Sequence, residues 1–410
     1  MFEGRPEVER KTPITTMEQA SAYLERCKDL GSTVRPAELS KLRESNMEVL
    51  EVLRKSIAEK TPAVEPGKWA VIIPAYKEKD IGQILMDVTS QLSKLPKVAT
   101  GFTEAQIIVS INAEEEGGMT HQAVDQYLSE NPLPGGVSLK KVTIAGQGKL
   151  VAFDNALNHL EAQKTFPQYL FFFDADSKLK DGCFAAVSSL LATGNVKAAG
   201  PKIVQKEPQN IREAISQLPT AGHGEKGTAW LQGGAFAINA ELAPLYHAYV
   251  RAFPGTIAND VNWSMIMREK DIPFQLTKEP YLDMDTPANM AELVRQQSRW
   301  LQGARLSGAF ISTDPNVITE TSVIKRFAGR VRGYFPGFPH VSREELSRFV
   351  DRGIKKELWG APFYAGLFMA IDKLDKPITL TIQGKKIEVG GSPPNPYIPK
   401  GWQPPREYLQ

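Results

Sequence analysis

Apolar residues follow two rhythms along this chain. Up to about residue 66 they recur at three- and four-residue steps, and beyond Gly67 they arrive in short unbroken runs. The first rhythm is helical. Thr15-Thr16-Met17-Glu18 has the spacing of a capping box ahead of Ala20, Tyr23 and Leu24, which predicts a helix start there. A second helix is predicted over about 36–60, with Pro36 in its first turn and Leu39, Leu42, Leu50, Leu53 and Ile57 on one face. Pro62, Pro66 and Gly67 end it. Such a face predicts packing on a main domain, with a partner-binding helix as the alternative.

The second rhythm is that of strands buried on both faces. Trp69-Ala70-Val71-Ile72-Ile73 is one such run, closed by Pro74. Further strands are predicted over 106–111, 142–145 and 169–173, with helices over 80–92, 122–128 and 149–162 between them. This alternation predicts an α/β fold: a Rossmann-like, mostly parallel sheet with helices on both faces. Beyond residue 200 the pattern is mixed. Helices are expected near 262–270 and 295–306, and a hairpin pairs 378–382 with 387–389 around a turn at 383–386. The proline-rich last twenty residues are expected to be extended. The chain thus divides into a helical N-terminal extension (1–66), an α/β domain (67–310) and a C-terminal extension with helices and the small hairpin (311–410).

Composition narrows the class. A net charge of +2 does not indicate nucleic-acid binding, which usually needs a strongly basic domain. Two distant cysteines, Cys27 and Cys183, argue against a disulfide framework and against a cysteine-held metal. The first residues are charged rather than apolar, and no run approaches the ~20 apolar residues needed to span a bilayer. A cytoplasmic protein is expected. The basic stretch 325–332 and the apolar segment 359–368 raise peripheral contact with an inner membrane surface as an alternative to plain packing.

Ligands of open parallel sheets bind at the carboxyl ends of the strands. Those positions hold Pro74, Tyr76, Lys77 and Glu78, then Asn112 with Glu114, Glu115 and Glu116, then Gly146-Gln147-Gly148-Lys149, then Asp174 and Asp176. Two carboxylates one residue apart suit a hard divalent cation, Mg²⁺ or Mn²⁺; an ion-pair or capping role is the plain alternative. A second doublet, Asp283 and Asp285, lacks the apolar run that leads into the first. Glycines before Lys149 would let backbone approach a phosphate at a helix N-terminus. Asp260 precedes a helical stretch, as a helix cap or as a base. Gln296, Arg299 and Trp300 share one helix face and suit phosphate pairing and stacking on a sugar; a surface cation–π pair is the alternative.

In this order the motifs resemble the family 2 glycosyltransferases of the GT-A fold. The match runs over roughly 70 to 300: Val71-Ile72-Ile73-Pro74-Ala75-Tyr76 with Glu78, Gly148-Lys149 with Ala152 and Asn155, Asp174-Ala175-Asp176, Gly233-Gly234, Asn259-Asp260, and Gln296 to Trp300. The last box is most similar to that of the cellulose, chitin and hyaluronan synthases. The resemblance implies an inverting hexosyl transfer without a covalent intermediate. Asp174 and Asp176 would hold Mn²⁺ or Mg²⁺ and the diphosphate, and Lys149 would contact the donor beside Pro74, Tyr76, Glu78 and Asn112. Asp260 would be the base, with Gln296, Arg299 and Trp300 at the acceptor end and the diphosphate. The donor implied is a nucleoside-diphosphate sugar, UDP-linked first and GDP-linked second, and the acceptor a glycan or glycoconjugate. Asn112 stands where the family has a nucleobase-reading Asp, and Asn259 where Glu often precedes the base. The family's channel-building membrane helices have no counterpart here, which favours single transfer over secretion of a polymer. Two other readings use the same residues: a nucleotidyltransferase that makes a nucleotide-sugar, and an inactive sugar-nucleotide-binding protein.

Overall fold

A computed structural model describes residues 13–95, 101–113, 115, 117–175, 177–204, 231, 233–283, 287–289, 292–293, 295–296, 299, 303, 311, 377–382, 385–390 and 394–399. Asp176, Trp300, the basic stretch 325–332 and the apolar segment 359–368 lie outside them.

The N-terminal helices form where periodicity placed them, with two differences. Helix α1 (Met17–Lys28) is capped by Thr16, whose side chain accepts from the Gln19 N–H while the Gln19 side chain returns to Thr16. The capping box therefore sits one residue later than Thr15 and Glu18. The predicted long helix is two helices, α2 (Pro36–Ser40) and α3 (Arg43–Ala58). Between them Leu42 closes a turn onto the Leu39 carbonyl at 2.9 Å, which lets Leu39 and Leu42 both reach the core.

The sheet comprises β1 (Val64–Ala75), β2 (Glu104–Asn112), β3 (Val137–Ile144), β4 (Phe166–Phe173), β5 (Lys178–Leu179), β6 (Ala198–Ile203), β7 (Ala235–Asn239) and β8 (Phe274–Asp283), in the order β3-β2-β1-β4-β7-β6-β8-β5. Strands β3, β2, β1 and β4 are parallel, with Val71 in register with Ile107 on one side and Phe171 on the other. Strand β7 runs against both β4 and β6, β8 is parallel to β6, and β5 runs against β8. The α/β expectation holds, with a mixed half beyond β4 that periodicity did not announce. Pro74 does not close the first strand, which continues to Ala75. Pairing with β4 has already stopped at Ile72, so a residue without an N–H is tolerated there.

Helices α4 (Ile81–Ser93), α5 (Met119–Glu130), α6 (Lys149–Glu161), α7 (Cys183–Ala192), α8 (Ala243–Ala252) and α9 (Asn259–Glu269) cover the sheet. Successive strand residues point to opposite faces, so one core holds Ile72, Ile108, Leu170 and Phe172 and the other holds Val71, Val109, Phe171 and Phe173. The first includes α1, α3, α6, α8 and α9; the second includes α4, α5 and α7. Phe172 stacks on Phe236 at 5.0 Å and meets Phe153 at 5.1 Å and Tyr246 at 4.5 Å, so β4 is fixed to β7, α6 and α8 by aromatic contacts. The predicted hairpin is present as β9 (Pro377–Ile382) with β10 (Lys385–Gly390). Among the described residues no helix is long and apolar enough to cross a membrane.

Candidate active site

The carboxyl edge of the parallel strands gathers the residues singled out by position. Two of its turns hold non-glycine residues in the left-handed region, Lys77 (φ 55°) after β1 and Ala113 (φ 52°) after β2. Such strain persists where the surroundings over-determine it, and it concentrates at functional edges. Tyr76 is 42% exposed, and the Lys77 ammonium lies 5.3 Å from its ring centre. Glu78 donates its N–H to Thr120 Oγ1 at 2.9 Å, fastening this loop to the start of α5. Pro74 is half-buried in β1.

Asn112 ends β2 and is buried. Its amide donates to the Gly148 carbonyl at 2.8 Å, while its Oδ1 has no hydrogen-bond partner among the described residues. Gly148 is the N-cap of α6 at φ 121°, a conformation that a side chain would strain. The turn it makes puts Lys149 at the first helical position. Of the three glutamates after β2, Glu114 and Glu116 lie outside the described residues and Glu115 is exposed.

Lys149 is the centre of the site. Its Nζ lies 2.5 Å from Asp174 Oδ1 and donates to the Gly233 carbonyl at 2.8 Å. Asp174 directly follows β4 and is half-buried. Its N–H donates to the Gly234 carbonyl at 2.9 Å, and that carbonyl also accepts from Ser177 Oγ at 2.9 Å. Gly233 and Gly234 both sit in close approach to other side chains. A Cβ on Gly234 would stand 2.7 Å from Ser177 Oγ, and one on Gly233 would stand 3.0 Å from Asp260 Oδ2. The Asp260 carboxylate therefore rests against the same turn that Lys149 holds from the other side.

Asp260 is the second residue of α9, inside its first turn; the cap position belongs to Ala258. The helix-cap alternative is thereby corrected, because the helix begins earlier than its apolar pattern suggested. Burial pushes the Asp260 carboxyl up, and the nearby Asp174 charge adds to this. Lys149 and the N–H groups of Val261 and Asp260 pull down, and the net shift is upward. Ser264 ties the turn to the helix: its hydroxyl donates to the Asp260 carbonyl at 2.7 Å and accepts from the Leu231 N–H at 2.8 Å.

Gln296 and Arg299 have helical backbone, the first half-buried with its Oε1 lacking a hydrogen-bond partner among the described residues, the second exposed. Gly303 is also helical and lies four residues beyond Arg299 and seven beyond Gln296. A Cβ there would stand 2.5 Å from the Ala258 Cβ. Gly303 therefore packs closely on the residue that caps the Asp260 helix.

Three further positions have a placement that the sequence did not indicate. Ser177 and Ser264 are hydroxyls whose partners lie 57 and 33 residues away, a separation no local pattern announces. Asp283 is the third. It ends β8, in register with Lys178 of β5, so the second doublet also begins at a strand end. The apolar run was absent because β8 is amphipathic, with Lys278 and Glu279 exposed. Among the described residues no group of three or more His, Cys, Asp or Glu is gathered as a metal cage. Asp174 nonetheless fits a hard cation by its chemistry, as a half-exposed carboxylate at a strand end that such an ion would share with Lys149.

No protein-family model matches this chain, and no curated protein matches it. Among solved structures, the crystal structure of S. aureus TarS 1-349 is 14% identical, with a TM-score of 0.38, over 80% of this chain and 98% of that one. The same fragment in complex with UDP-GlcNAc is 15% identical, with a TM-score of 0.39, over 79% of this chain and 99% of that one. In complex with UDP it is 15% identical, with a TM-score of 0.38, over 81% and 99%.

Proposed function

We propose that this chain is an inverting glycosyltransferase that moves a hexosyl group from a nucleoside-diphosphate sugar, UDP-linked first, to a hydroxyl of a glycan or glycoconjugate acceptor. One observation carries the reading. A cation and two acids from separate segments, Lys149, Asp174 and Asp260, meet around the Gly233-Gly234 turn at the carboxyl edge of the sheet.

The roles follow from charge. Lys149 stands at a helix N-terminus, where an anion is favoured by the helix dipole and by the ammonium together. A diphosphate fits that position. A divalent cation held by Asp174 and Asp176 would neutralise the leaving diphosphate as a Lewis acid. Asp260 takes the acceptor proton as the acceptor oxygen bonds to the anomeric carbon and the bond from that carbon to the diphosphate oxygen breaks. Its raised pKa makes it a stronger base than an exposed carboxylate, which favours that role. Gln296, Arg299 and Trp300 serve the acceptor and diphosphate end, in keeping with Gly303 against Ala258.

The test is a donor screen with purified protein, Mn²⁺ or Mg²⁺ and a panel of UDP-, GDP- and dTDP-sugars, scored for free nucleoside diphosphate. Metal-dependent release from one donor, abolished by EDTA, is expected. Pyrophosphate release from a nucleoside triphosphate would instead identify a nucleotidyltransferase. Binding without release of either product would identify an inactive sugar-nucleotide-binding protein.

A further inference from the structure

The proline-rich tail contributes a buried segment, residues 394–399, that touches both the N-terminal helices and the loop leading to Asp260. Pro394 forms an isolated antiparallel bridge with Thr33. Asn395 is 1% exposed and fully engaged: its N–H donates to Ser32 O at 2.9 Å, and its amide donates to Cys27 O at 3.0 Å and Gly31 O at 2.8 Å. Its Oδ1 accepts from the Tyr397 N–H at 3.0 Å. Tyr397 donates its hydroxyl to Asn46 Oδ1 at 2.6 Å, next to Tyr23, which donates to the same oxygen at 2.9 Å.

The segment also grips residues 253–255. The Pro396 carbonyl accepts from the Gly255 N–H at 3.0 Å, and the Tyr397 ring meets Phe253 edge-on at 5.5 Å. The fit leaves no room for a side chain at Gly255, where a Cβ would stand 2.0 Å from Ile398 O and 2.4 Å from Asn395 O. Three residues further on, Ala258 is pressed by Gly303, and two residues beyond that stands Asp260.

We propose that residues 394–399 are a positioning latch for Asp260, with Asn395 as its anchor on α1 and Gly255 as its seat on the base-bearing loop. The proposal rests on the reading of Asp260 as the base. The latch holds the loop at Phe253 and Gly255 while Gly303 packs on Ala258, so the first turn of α9 is fixed relative to Lys149 and Asp174. The donor half of the site is built on other elements, β1, β2, β4 and α6.

The test compares the full chain with Gly255→Ala, which pushes the loop off its seat, and with Asn395→Ser, a milder change that unfastens the anchor. Amide hydrogen exchange in peptides covering 253–262 is expected to rise about tenfold or more while β1 and β4 peptides keep their protection. Affinity for UDP and GDP, measured by calorimetry, and the donor KM stay within about twofold, while kcat falls about tenfold or more, as for a misplaced base. Unchanged exchange at 253–262 in both variants overturns the latch whether or not the chain is an enzyme. Loosened exchange with wild-type kcat overturns its positioning role. So does a parallel loss of nucleotide binding and β4 protection, which would mark the segment as support for the whole fold. If the wild-type chain turns over no donor, the reading of Asp260 fails alone, and the exchange measurement still decides the latch.

Discussion

Lys149 Nζ lies 2.5 Å from Asp174 Oδ1, joining the first residue of α6 to the residue that follows β4. The pair is half-exposed, and the lysine has a second anchor on the Gly233 carbonyl. Lys149 therefore stands where the helix end, its own charge and a mobile substrate anion could all meet. Replacing it with methionine keeps the stem and removes the charge. Lys149→Met is expected to weaken nucleoside-diphosphate binding about tenfold, in line with the ~1.5 kcal/mol that a hydrogen bond to a charged group contributes. Calorimetric titration checks this, and an unchanged Kd would remove Lys149 from the donor site.

Asp260 gives the second prediction. Its carboxyl is held above the usual carboxylate range by burial, helped by Asp174. A base must be ionised to act, so the acid limb of kcat/KM is expected above pH ~4, the ordinary value for Asp. Lys149 lowers this pKa, so Lys149→Met should move the limb to still higher pH. Asp260→Asn should keep donor binding and lose about 10²–10⁴-fold in kcat. A variant that turns over like wild type would exclude Asp260 as the base.

The turn at Gly234 gives the third. A Cβ there would stand 2.7 Å from Ser177 Oγ and 3.3 Å from Leu282 Cδ2. Gly234→Ala is expected to destabilise the fold by ~1–3 kcal/mol, the usual cost of overpacking a tight site. Ser177→Ala removes the atom in the way, together with its hydrogen bond to the Gly234 carbonyl. In that background the cost of Gly234→Ala should shrink, giving a coupling of at least ~0.5 kcal/mol in a denaturant double-mutant cycle. Additive costs would show that the serine is not what excludes a side chain.

These residues were legible to different degrees, for physical reasons. Strands β1, β2 and β4 are covered on both faces and so carry unbroken apolar runs, and their ends named Asn112 and Asp174 directly. Strand β3 was found only at its end, because Lys140 and Lys141 break its apolar pattern. Strand β6 is made largely of small residues, β7 is five residues long behind two glycines, and β8 carries Lys278, Glu279 and Pro280. None of these has a run as long as those of β1, β2 and β4, and so the mixed half of the sheet was missed. Asp260 was found by its neighbours, but its place inside α9 was not, since the first turn is led by Asn259 rather than by an apolar residue. The contacts of Ser177, Gly255 and Asn395 exist only once distant segments meet.

The last prediction concerns α6 from its far side. His247 of α8 is fully buried between two acids of α6: Nδ1 faces Glu161 Oε1 at 2.5 Å and Nε2 faces Asp154 Oδ1 at 2.9 Å. Arg251, one turn on, reaches Asp154 at 3.2 Å and Asn158 at 2.6 Å. Burial alone would lower the His247 pKa, but the hydrogen bonds to Asp154 and Glu161 outweigh it, and the net shift is upward. The fold therefore prefers the imidazolium. Its stabilising contribution is fully present below pH ~6.5, the ordinary value for histidine, and is lost as pH rises through the higher folded value. Asp154 acts in the opposite window. Burial raises its pKa, the bonds to His247 and Arg251 lower it further, and its contribution is lost only as pH falls through the depressed value. Denaturant midpoints should therefore decline from about pH 6.5 upward in the wild-type chain and lose that slope in His247→Gln. His247→Ala, which strands Glu161 and leaves Asp154 only Arg251, should cost ~3–5 kcal/mol, the range for breaking a buried ion pair. A wild-type midpoint that is flat from neutral to alkaline pH would mean that His247 is neutral in the fold and that the two acids share their protons otherwise.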